Sequence, residues 1–297
     1  MGSLRNLAGP MRPSFLLLAL ACVVLGWASA DWTSGSVSVH QLILVFAGGL
    51  CAHISVNAFN EYWDFRTGLD ARTERTPFSG GSGTLQANPE LAGQALGTAV
   101  VTFVVTAAIG LYFIYARGYG LLPLGIAGLV VIFLYTRWLT HVPFLCLVAP
   151  GLGFGTLMVM GVDFALSGSY SWTAFIASCV PFFLVNDLLL LNQFPDVEAD
   201  RSVGRKHFPI TIGRPASSLI YGSFLLAAHI SIVVGVILRW LPATCLVALI
   251  GLAMAIPAMV GAYRHAEDMK RLIPFLALNV GINIVTPLLV AVGLFLG

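Results

Sequence analysis

The sequence predicts an all-α, polytopic membrane protein with nine transmembrane helices in a single domain over residues 1–297. The chain is 58% hydrophobic and only 9% charged, whereas an ordinary soluble domain is about 25% charged. Its apolar residues fall into nine long runs, and its basic residues gather in alternating loops between those runs. A soluble globular fold is therefore excluded.

Each predicted helix corresponds to one apolar run, because crossing the hydrocarbon core takes about 20 mostly apolar residues. Most connections between runs are short. Two longer ones, 60–89 and 194–214, carry clusters of acidic residues, and long polar loops are where function is expected. The nine predicted helices span approximately 13–30, 39–59, 90–116, 119–136, 143–167, 172–193, 215–238, 241–263 and 271–296.

The basic residues predict the orientation of these helices. Nine crossings place the N-terminus and alternate loops on one side, which receives every lysine and arginine except Arg117 and Arg239. Because cytoplasmic loops carry the excess of basic residues, this side is predicted to be cytoplasmic, in a cell membrane. The loops on that side span 60–89, 137–142, 194–214 and 264–270.

A first polar cluster, NAFNEYWDFRTGLD, ends the second apolar run. Asn57, Asn60, Glu61 and Asp64 fall at i, i+3, i+4 and i+7, so a helix would place them on one face, and Asp70 follows. Acidic side chains at the mouth of a membrane helix are costly to bury unless a cation or water compensates them.

A second cluster, NQFPDVEAD, ends the sixth run. Asn192, Asp196 and Asp200 are spaced i, i+4 and i+8, again on one helical face. Mg²⁺ prefers oxygen ligands and is typically held by one or two carboxylates together with substrate phosphates. Two such clusters facing each other across a cavity would suit a diphosphate bridged by Mg²⁺.

Basic residues follow each acidic cluster and give the two loops one shared pattern. Arg72 and Arg75 follow the first cluster, and Arg201, Arg205 and Lys206 follow the second. The order of amide, acids and then bases hints at an internal repeat.

Other polar or small residues lie inside the apolar runs. The glycines of Gly151–Gly155 (GLGFG) are interpreted as sites of close helix packing. Asp163 lies near the outer end of its helix, where it is expected to be solvated. Asp187 lies deeper, and a structural hydrogen bond and a substrate contact remain alternatives for it.

These motifs resemble those of the UbiA-type intramembrane prenyltransferases. Asn60-Glu61-x-x-Asp64 followed by Gly68-x-Asp70 is similar to the first aspartate-rich motif of that superfamily. Its spacing is similar to the menaquinone branch, which prenylates 1,4-dihydroxy-2-naphthoate. The segment from Asn192 to Lys206 resembles the second motif, and Tyr135-Thr136 resembles a weaker landmark.

The resemblance implies a helical bundle around a central cavity with a lateral opening to lipid. A polyprenyl diphosphate would lie in the cavity with its diphosphate on Mg²⁺, and an aromatic small molecule would accept the prenyl group. The lipid bilayer is the surrounding partner, and no nucleic acid is expected.

The resemblance also implies roles for individual residues. The implied metal ligands are Asn60, Glu61, Asp64, Asn192, Asp196 and Asp200. The implied catalytic residues at the metal–diphosphate site are Asp64, Asp70, Asp196, Asp200, Arg72, Arg75 and Lys206. The residues expected to bind substrate are Asn57, Tyr62, Arg137, Arg201 and Arg205. Tyr62 could instead be an interfacial aromatic anchor.

Three departures from the family pattern concern the acceptor more than the diphosphate. Glu61 stands where the family usually has aspartate. The run Gln193-Phe194-Pro195 replaces an asparagine and an arginine that are usual near Asp196. The segment Gly153–Gly155 lies where many relatives have a Gly-Glu pair.

Three other functions remain open at this stage. A terpene cyclase on the same fold would form product without an aromatic acceptor. An ion or metabolite transporter would use the acidic clusters as an ion path, although carboxylates near mid-membrane would then be expected. A purely structural subunit leaves the polar clusters unexplained.

Overall fold

A computed structural model describes residues 8–73, 75, 76 and 78–297. The described residues form helices, turns and loops, with no strand among them. The bounds of the nine main helices are α1 Gly9–Ser34, α2 Val39–Thr67, α3 Pro89–Arg117, α4 Tyr119–Leu134, α5 Pro143–Ser167, α6 Trp172–Ser202, α7 Arg214–Ile237, α8 Ala243–Arg264 and α9 Met269–Leu296.

The predicted all-α membrane fold is confirmed, and each of the nine apolar runs is helical. Eight of the nine helices in the described part of the chain are long and apolar enough to cross a membrane, whereas α4 is a shorter apolar helix. Pro123 is the second residue of the α-helical part of α4, which begins at Leu122 after a short 3₁₀ turn, and proline is tolerated at the start of an α-helix.

The two helices that carry the acidic clusters are longer than predicted. Helix α2 continues beyond residue 59 to Thr67, and α6 continues beyond residue 193 to Ser202. The predicted loops 60–89 and 194–214 therefore begin too early. The predicted helix ends were placed where the apolar runs stop. The polar last turns of α2 and α6 nevertheless stay helical, because their side chains find partners inside the protein.

The first six helices of the chain, α1 to α6, enclose a cavity. Helix α6 is the most enclosed of the long helices, and α3 is the most exposed to the surroundings. Helix α9 packs against both α1 and α6, α2 packs against α3, and α7 packs against α6. The main apolar core lies mostly between α6, α7, α8 and α9, with contributions from α1 and α5, whereas the cavity is lined by α1 to α6.

Helix α5 is irregular at its centre. Residues Leu152–Val159 form a π-helical segment between two α-helical ones. A Cβ atom added to Gly151 or Gly155 would overlap the backbone of Phe182 on α6. The close packing predicted for the glycines of Gly151–Gly155 is confirmed for Gly151 and Gly155, which bring the wide turn against α6, but not for Gly153, whose added Cβ would come no nearer than 3.6 Å to a neighbour. Such π-helical turns are frequent at functional sites.

Three loops that were predicted to lie on the same side of the membrane, 60–89, 137–142 and 194–214, do meet at one end of the bundle. Arg72 donates to the Ser202 hydroxyl at 3.1 Å and so joins the two acidic loops. The Lys206 backbone N–H donates to the Thr140 carbonyl at 3.1 Å. At the opposite end, Arg117 donates to Gln41 at 2.7 Å and to the Leu166 carbonyl at 2.6 Å.

Candidate active site

One face of α2 supplies the polar side of the cavity. His53, Asn57, Asn60 and Asp64 follow one another at helical spacing and all line the cavity. The Asn60 amide donates to Asp64 Oδ2 at 3.0 Å. This contact fixes the Asp64 carboxylate at the cavity mouth, where only 5% of the residue is exposed.

Arg205 joins the two acidic clusters. Its guanidinium forms an ion pair with Asp64 through Nη2 and with Asp200 Oδ1 through Nη1, the latter at 3.0 Å. His207 Nε2 lies 3.0 Å from the other Asp200 oxygen. The clusters, which are far apart in sequence, are therefore neighbours in the fold.

Three buried oxygen atoms at the same cavity have no hydrogen-bond partner among the described residues. They are Asp70 Oδ2, Asn192 Oδ1 and Asp196 Oδ1. Buried polar atoms are normally paired, and unpaired ones need a physical explanation. Carboxylate and amide oxygens are the donor set that Mg²⁺ prefers, so these residues fit a magnesium site.

A glycine loop closes the cavity beside Asp70. Gly80 and Gly81 adopt left-handed φ values of 86° and 70°, which glycine adopts without strain. A Cβ atom on Gly81 would lie 2.9 Å from Asp70 Oδ1. Glycine thus lets the backbone approach this carboxylate, and Ser79, Gly80 and Gly81 all line the cavity.

The surroundings of Asp70 disfavour a negative charge on its carboxylate. Burial first, and then the neighbouring carboxylates of Asp64 and Glu61, raise the pKa of Asp70 to about 7. Both effects disfavour the ionised form, and a bound cation would offset them.

Glu61 is held differently from the other predicted metal ligands. Its side chain is fully buried and pairs with Arg12, whose Nη2 lies 3.0 Å away. It also accepts from the Ser82 backbone N–H at 3.0 Å and from the Ser82 hydroxyl. Glu61 is not among the described residues that line the cavity, so its contacts tie the N-terminal segment and the glycine loop to α2.

The other predicted site residues divide into two groups. Asn57 lines the cavity and donates to the Met11 carbonyl at 3.1 Å. Seven others do not contribute to the cavity wall that the described residues form. Those seven are Glu61, Tyr62, Arg72, Arg75, Arg137, Arg201 and Lys206.

Several of these outer residues have partners elsewhere. Arg75 donates to Gln86 at 2.9 Å, Arg201 pairs with Glu198 at 3.1 Å, and Arg137 stacks over the Trp63 ring at 5.1 Å. Tyr62 packs edge-on against Trp63, with ring centroids 5.3 Å apart. Of the three bases predicted in the second loop, Arg201, Arg205 and Lys206, Arg205 lines the cavity.

Sequence reasoning missed Arg12, Ser79 and His207 as parts of the site. Arg12 contacts Glu61 and also donates to Asn60 at 3.1 Å, and Ser79 and His207 line the cavity. The adjacency of His207 to Arg205 and Lys206 was the one available signal. Ser79 opens the Gly/Ser-rich run 79–83, which indicates a turn but not a place at the site, and Arg12 lies in a segment without a distinctive pattern.

Two intramembrane acids lie outside the cavity wall of the described residues. Asp163 is fully buried rather than solvated, and it accepts from the Ser171 hydroxyl at 3.1 Å. Asp187 is also fully buried, with neither carboxylate oxygen partnered among the described residues. The expected solvation of Asp163 is therefore wrong, because the start of α6 covers it.

The cavity has a volume of about 570 Å³, and its walls are mainly apolar beyond the polar mouth. Helices α1 to α6 contribute to it. No group of three or more His, Cys, Asp or Glu side chains is arranged around one ion in the described part of the chain. A metal here would depend on amide oxygens, water and substrate as well as carboxylates.

The fold and the site together define a helical membrane protein whose apolar cavity has an acidic mouth, a shape that suits an apolar molecule with a charged head. The chain belongs to the UbiA prenyltransferase family, whose model matches residues 15–281. The protein is therefore an intramembrane prenyltransferase.

Relatives in sequence and structure agree with this assignment. The 1,4-dihydroxy-2-naphthoate octaprenyltransferase of Bacillus subtilis (strain 168) is 26% identical over 220 residues, covering 73% of this chain and 69% of the relative. The apo structure of a UbiA homolog from Aeropyrum pernix K1 superposes with a TM-score of 0.74 at 19% identity, over 96% of this chain and 98% of that chain.

A third relative is a UbiA homolog from Archaeoglobus fulgidus, whose structure was solved with DMAPP and Mg²⁺ bound. It has a TM-score of 0.56 and 14% identity to this chain, over 97% of this chain and 99% of that chain. At this identity the likeness shows a shared fold.

Proposed function

We propose that the protein transfers a polyprenyl group from its diphosphate to a ring carbon of an aromatic quinone precursor, in a reaction that requires Mg²⁺. One observation carries the proposal: Arg205 brings the two acidic clusters together at the mouth of an apolar cavity, beside three unpaired buried oxygens. The cavity suits an isoprenoid chain and the mouth suits its charged head.

In this proposal the magnesium ligands come from both clusters. The proposed ligands are Asn60, Asp64, Asn192, Asp196 and Asp200, with Asp70 at the same site. Bound Mg²⁺ would neutralise the negative charge that develops on the leaving diphosphate. Arg205 adds a fixed positive charge between the clusters, where guanidinium groups bind phosphate oxygens well.

The chain's own residues would then control the reactive carbon. When the bond from the allylic carbon to the diphosphate oxygen breaks, its electron pair leaves with the diphosphate. A ring carbon of the acceptor forms the new bond, and the ring then loses a proton. The apolar walls exclude water, which would otherwise capture the allylic cation.

Support for the acceptor comes from the naphthoate prenyltransferase of Bacillus subtilis, which is similar to this chain over most of its length. We therefore infer a hydroxylated naphthoate, such as 1,4-dihydroxy-2-naphthoate, as the acceptor. Six predicted site residues lie outside the described cavity wall, so in this proposal they contribute only at its periphery. They are Arg72, Arg75, Arg137, Arg201, Lys206 and Tyr62.

The test uses the full-length protein in detergent with a radiolabelled polyprenyl diphosphate and 1,4-dihydroxy-2-naphthoate. Prenylated naphthoate and diphosphate should appear together, and EDTA should stop both. Asp64→Asn and Asp196→Asn should each lower turnover at least 100-fold, as removal of a group that stabilises the leaving charge does. The matched control is Glu198→Gln, because Glu198 lies on α6 two residues after Asp196 and is exposed.

Two results would contradict the proposal. Full turnover by Asp64→Asn or Asp196→Asn would show that the acidic clusters do not hold the diphosphate. Prenyl-derived product that forms equally well without the naphthoate would identify a cyclase instead of a transferase.

A further inference from the structure

A buried histidine lies inside the cavity, away from the acidic mouth. His53 is on α2, seven residues before Asn60, which corresponds to about 10 Å along the helix axis. Only 4% of the residue is exposed, and it lines the cavity. Among the described residues on the wall, it is the one acid or base that is remote from the acidic mouth and its loops.

The imidazole of His53 packs against an aromatic ring of α5. Its ring packs edge-on against Phe154, with ring centroids 4.6 Å apart and planes at 73°. Its Nδ1 atom is buried without a hydrogen-bond partner among the described residues. Phe154 lies in the π-helical segment of α5, so this wide turn helps to position the histidine.

Two other polar side chains on the cavity wall donate hydrogen bonds within the protein. Asn57, one turn along α2 from His53, donates to the Met11 carbonyl at 3.1 Å. Thr106 lines the cavity from α3, but its hydroxyl donates to the Thr102 carbonyl at 2.8 Å. The buried Nδ1 of His53, unpartnered among the described residues, is therefore open to a polar group of a ligand in the apolar part of the cavity. Burying a hydroxyl there without a hydrogen bond would cost free energy.

We propose that His53 recognises the aromatic acceptor by hydrogen bonding to a ring hydroxyl. This inference rests on the proposed function and identifies which substrate His53 contacts. The polyprenyl chain offers no polar atom for the imidazole, and the diphosphate belongs at the mouth. The acceptor is the substrate with hydroxyl groups that must enter the cavity, and a neutral imidazole can both donate to and accept from a hydroxyl.

The kinetic test compares His53→Leu with His53→Gln in the full-length protein. His53→Leu should raise KM for 1,4-dihydroxy-2-naphthoate about 10-fold and leave KM for the polyprenyl diphosphate within about 2-fold, as expected for one lost hydrogen bond. His53→Gln keeps a hydrogen-bonding side chain and should restore part of the affinity. His40→Gln is the matched control, since His40 is an exposed histidine at the other end of α2.

A binding test decides the inference even if the proposed reaction fails. The fluorescence of the naphthalene ring reports binding of 1,4-dihydroxy-2-naphthoate and of 2-naphthoate, which lacks the hydroxyls. The wild type should bind the dihydroxy compound about 10-fold more tightly, whereas His53→Leu should bind the two equally. If His53→Leu does not fold, the same comparison with His53→Gln should give a smaller preference than the wild type.

Two outcomes would overturn the role of His53. One is an unchanged preference between the two naphthoates in the variant that folds. The other is an equal rise in KM for both substrates, which would indicate a general change in the cavity. Neither outcome bears on whether the acidic clusters bind Mg²⁺ and diphosphate, whereas an absence of transfer by the wild type would defeat the proposed function alone.

Discussion

At the scale of single residues, the buried acids of this protein differ in what surrounds them. Asp64 and Asp200 share Arg205, and Glu61 pairs with Arg12. Asp70 and Asp196 each retain an unpaired oxygen at the cavity. Glu61 lies outside the described cavity wall and ties separate segments together, whereas the carboxylates on the wall lie where they can meet a ligand. Burial alone does not distinguish these roles.

Glu61→Gln should destabilise the protein by about 3 kcal/mol, because it leaves Arg12 without its buried counter-charge. The Ser82 N–H would also lose a charged acceptor. The melting temperature in detergent measures the effect. Glu198→Gln is the control: Glu198 pairs with Arg201 on the surface, and exposed pairs contribute about 1 kcal/mol or less.

The same variant separates an anchoring role for Glu61 from metal ligation. If Glu61 is an anchor, the rise in melting temperature on adding Mg²⁺ with inorganic pyrophosphate should persist in Glu61→Gln, since ligand binding stabilises the folded state. An unchanged melting temperature without ligand, combined with loss of the Mg²⁺ effect, would instead identify Glu61 as a metal ligand.

Asp187→Asn should leave stability unchanged or raise it by about 1 kcal/mol, because a buried carboxylate without a partner disfavours folding and the amide has nearly the same shape. Turnover should stay at the wild-type level, since Asp187 is not part of the described cavity wall. Thermal unfolding and the transfer assay check both expectations. A drop of several degrees would indicate that a water molecule or cation satisfies the carboxylate.

At the scale of the helices, the sequence predicted well which segments are helical but predicted poorly where each helix ends. Long apolar runs give a strong signal, because a membrane span needs about 20 such residues. The polar last turns of α2 and α6 carry no such signal. They remain helical because partners such as Arg205 and Arg12 reach them from distant segments, and those contacts are invisible to local hydropathy.

The same reasoning explains which parts of the site could be predicted. Asn60, Asp64, Asn192 and Asp196 repeat at helical spacing, so one face could be inferred for each cluster. The roles of Arg12 and His53 depend on tertiary contacts and on the shape of the cavity. Arg12 is 49 residues from Glu61 in sequence, and no periodic pattern links them.

The contact between α5 and α6 gives a prediction at this scale. Gly155→Ala should destabilise the protein by about 1–3 kcal/mol or prevent its accumulation, because the new methyl group would overlap the Phe182 backbone. Gly153→Ala is the matched control in the same π-helical segment, where the nearest atom to a new Cβ is Val131 Cγ1 at 3.6 Å. Yield and melting temperature measure both. Equal effects of the two substitutions would contradict the packing argument.

At the scale of the whole molecule, the polar connections gather at one end and tie the two halves of the bundle together. Arg205 links α2 to the end of α6, and Arg72 links the two acidic loops. Arg214 at the start of α7 pairs with Glu267 before α9 at 3.2 Å. Since most of the basic residues lie at this end, the positive-inside rule predicts that it faces the cytoplasm.

Cysteine labelling tests this orientation in membranes. Glu198→Cys probes the acidic end and Ser169→Cys probes the opposite end, and both positions are exposed. The half-buried Cys51 and Cys179 should first be replaced with alanine, while the other three cysteines are buried. A membrane-impermeant maleimide should label position 169 in intact spheroplasts and position 198 in inverted vesicles. The reverse pattern would mean that the active site opens to the outside, where a cytoplasmic diphosphate substrate could not reach it.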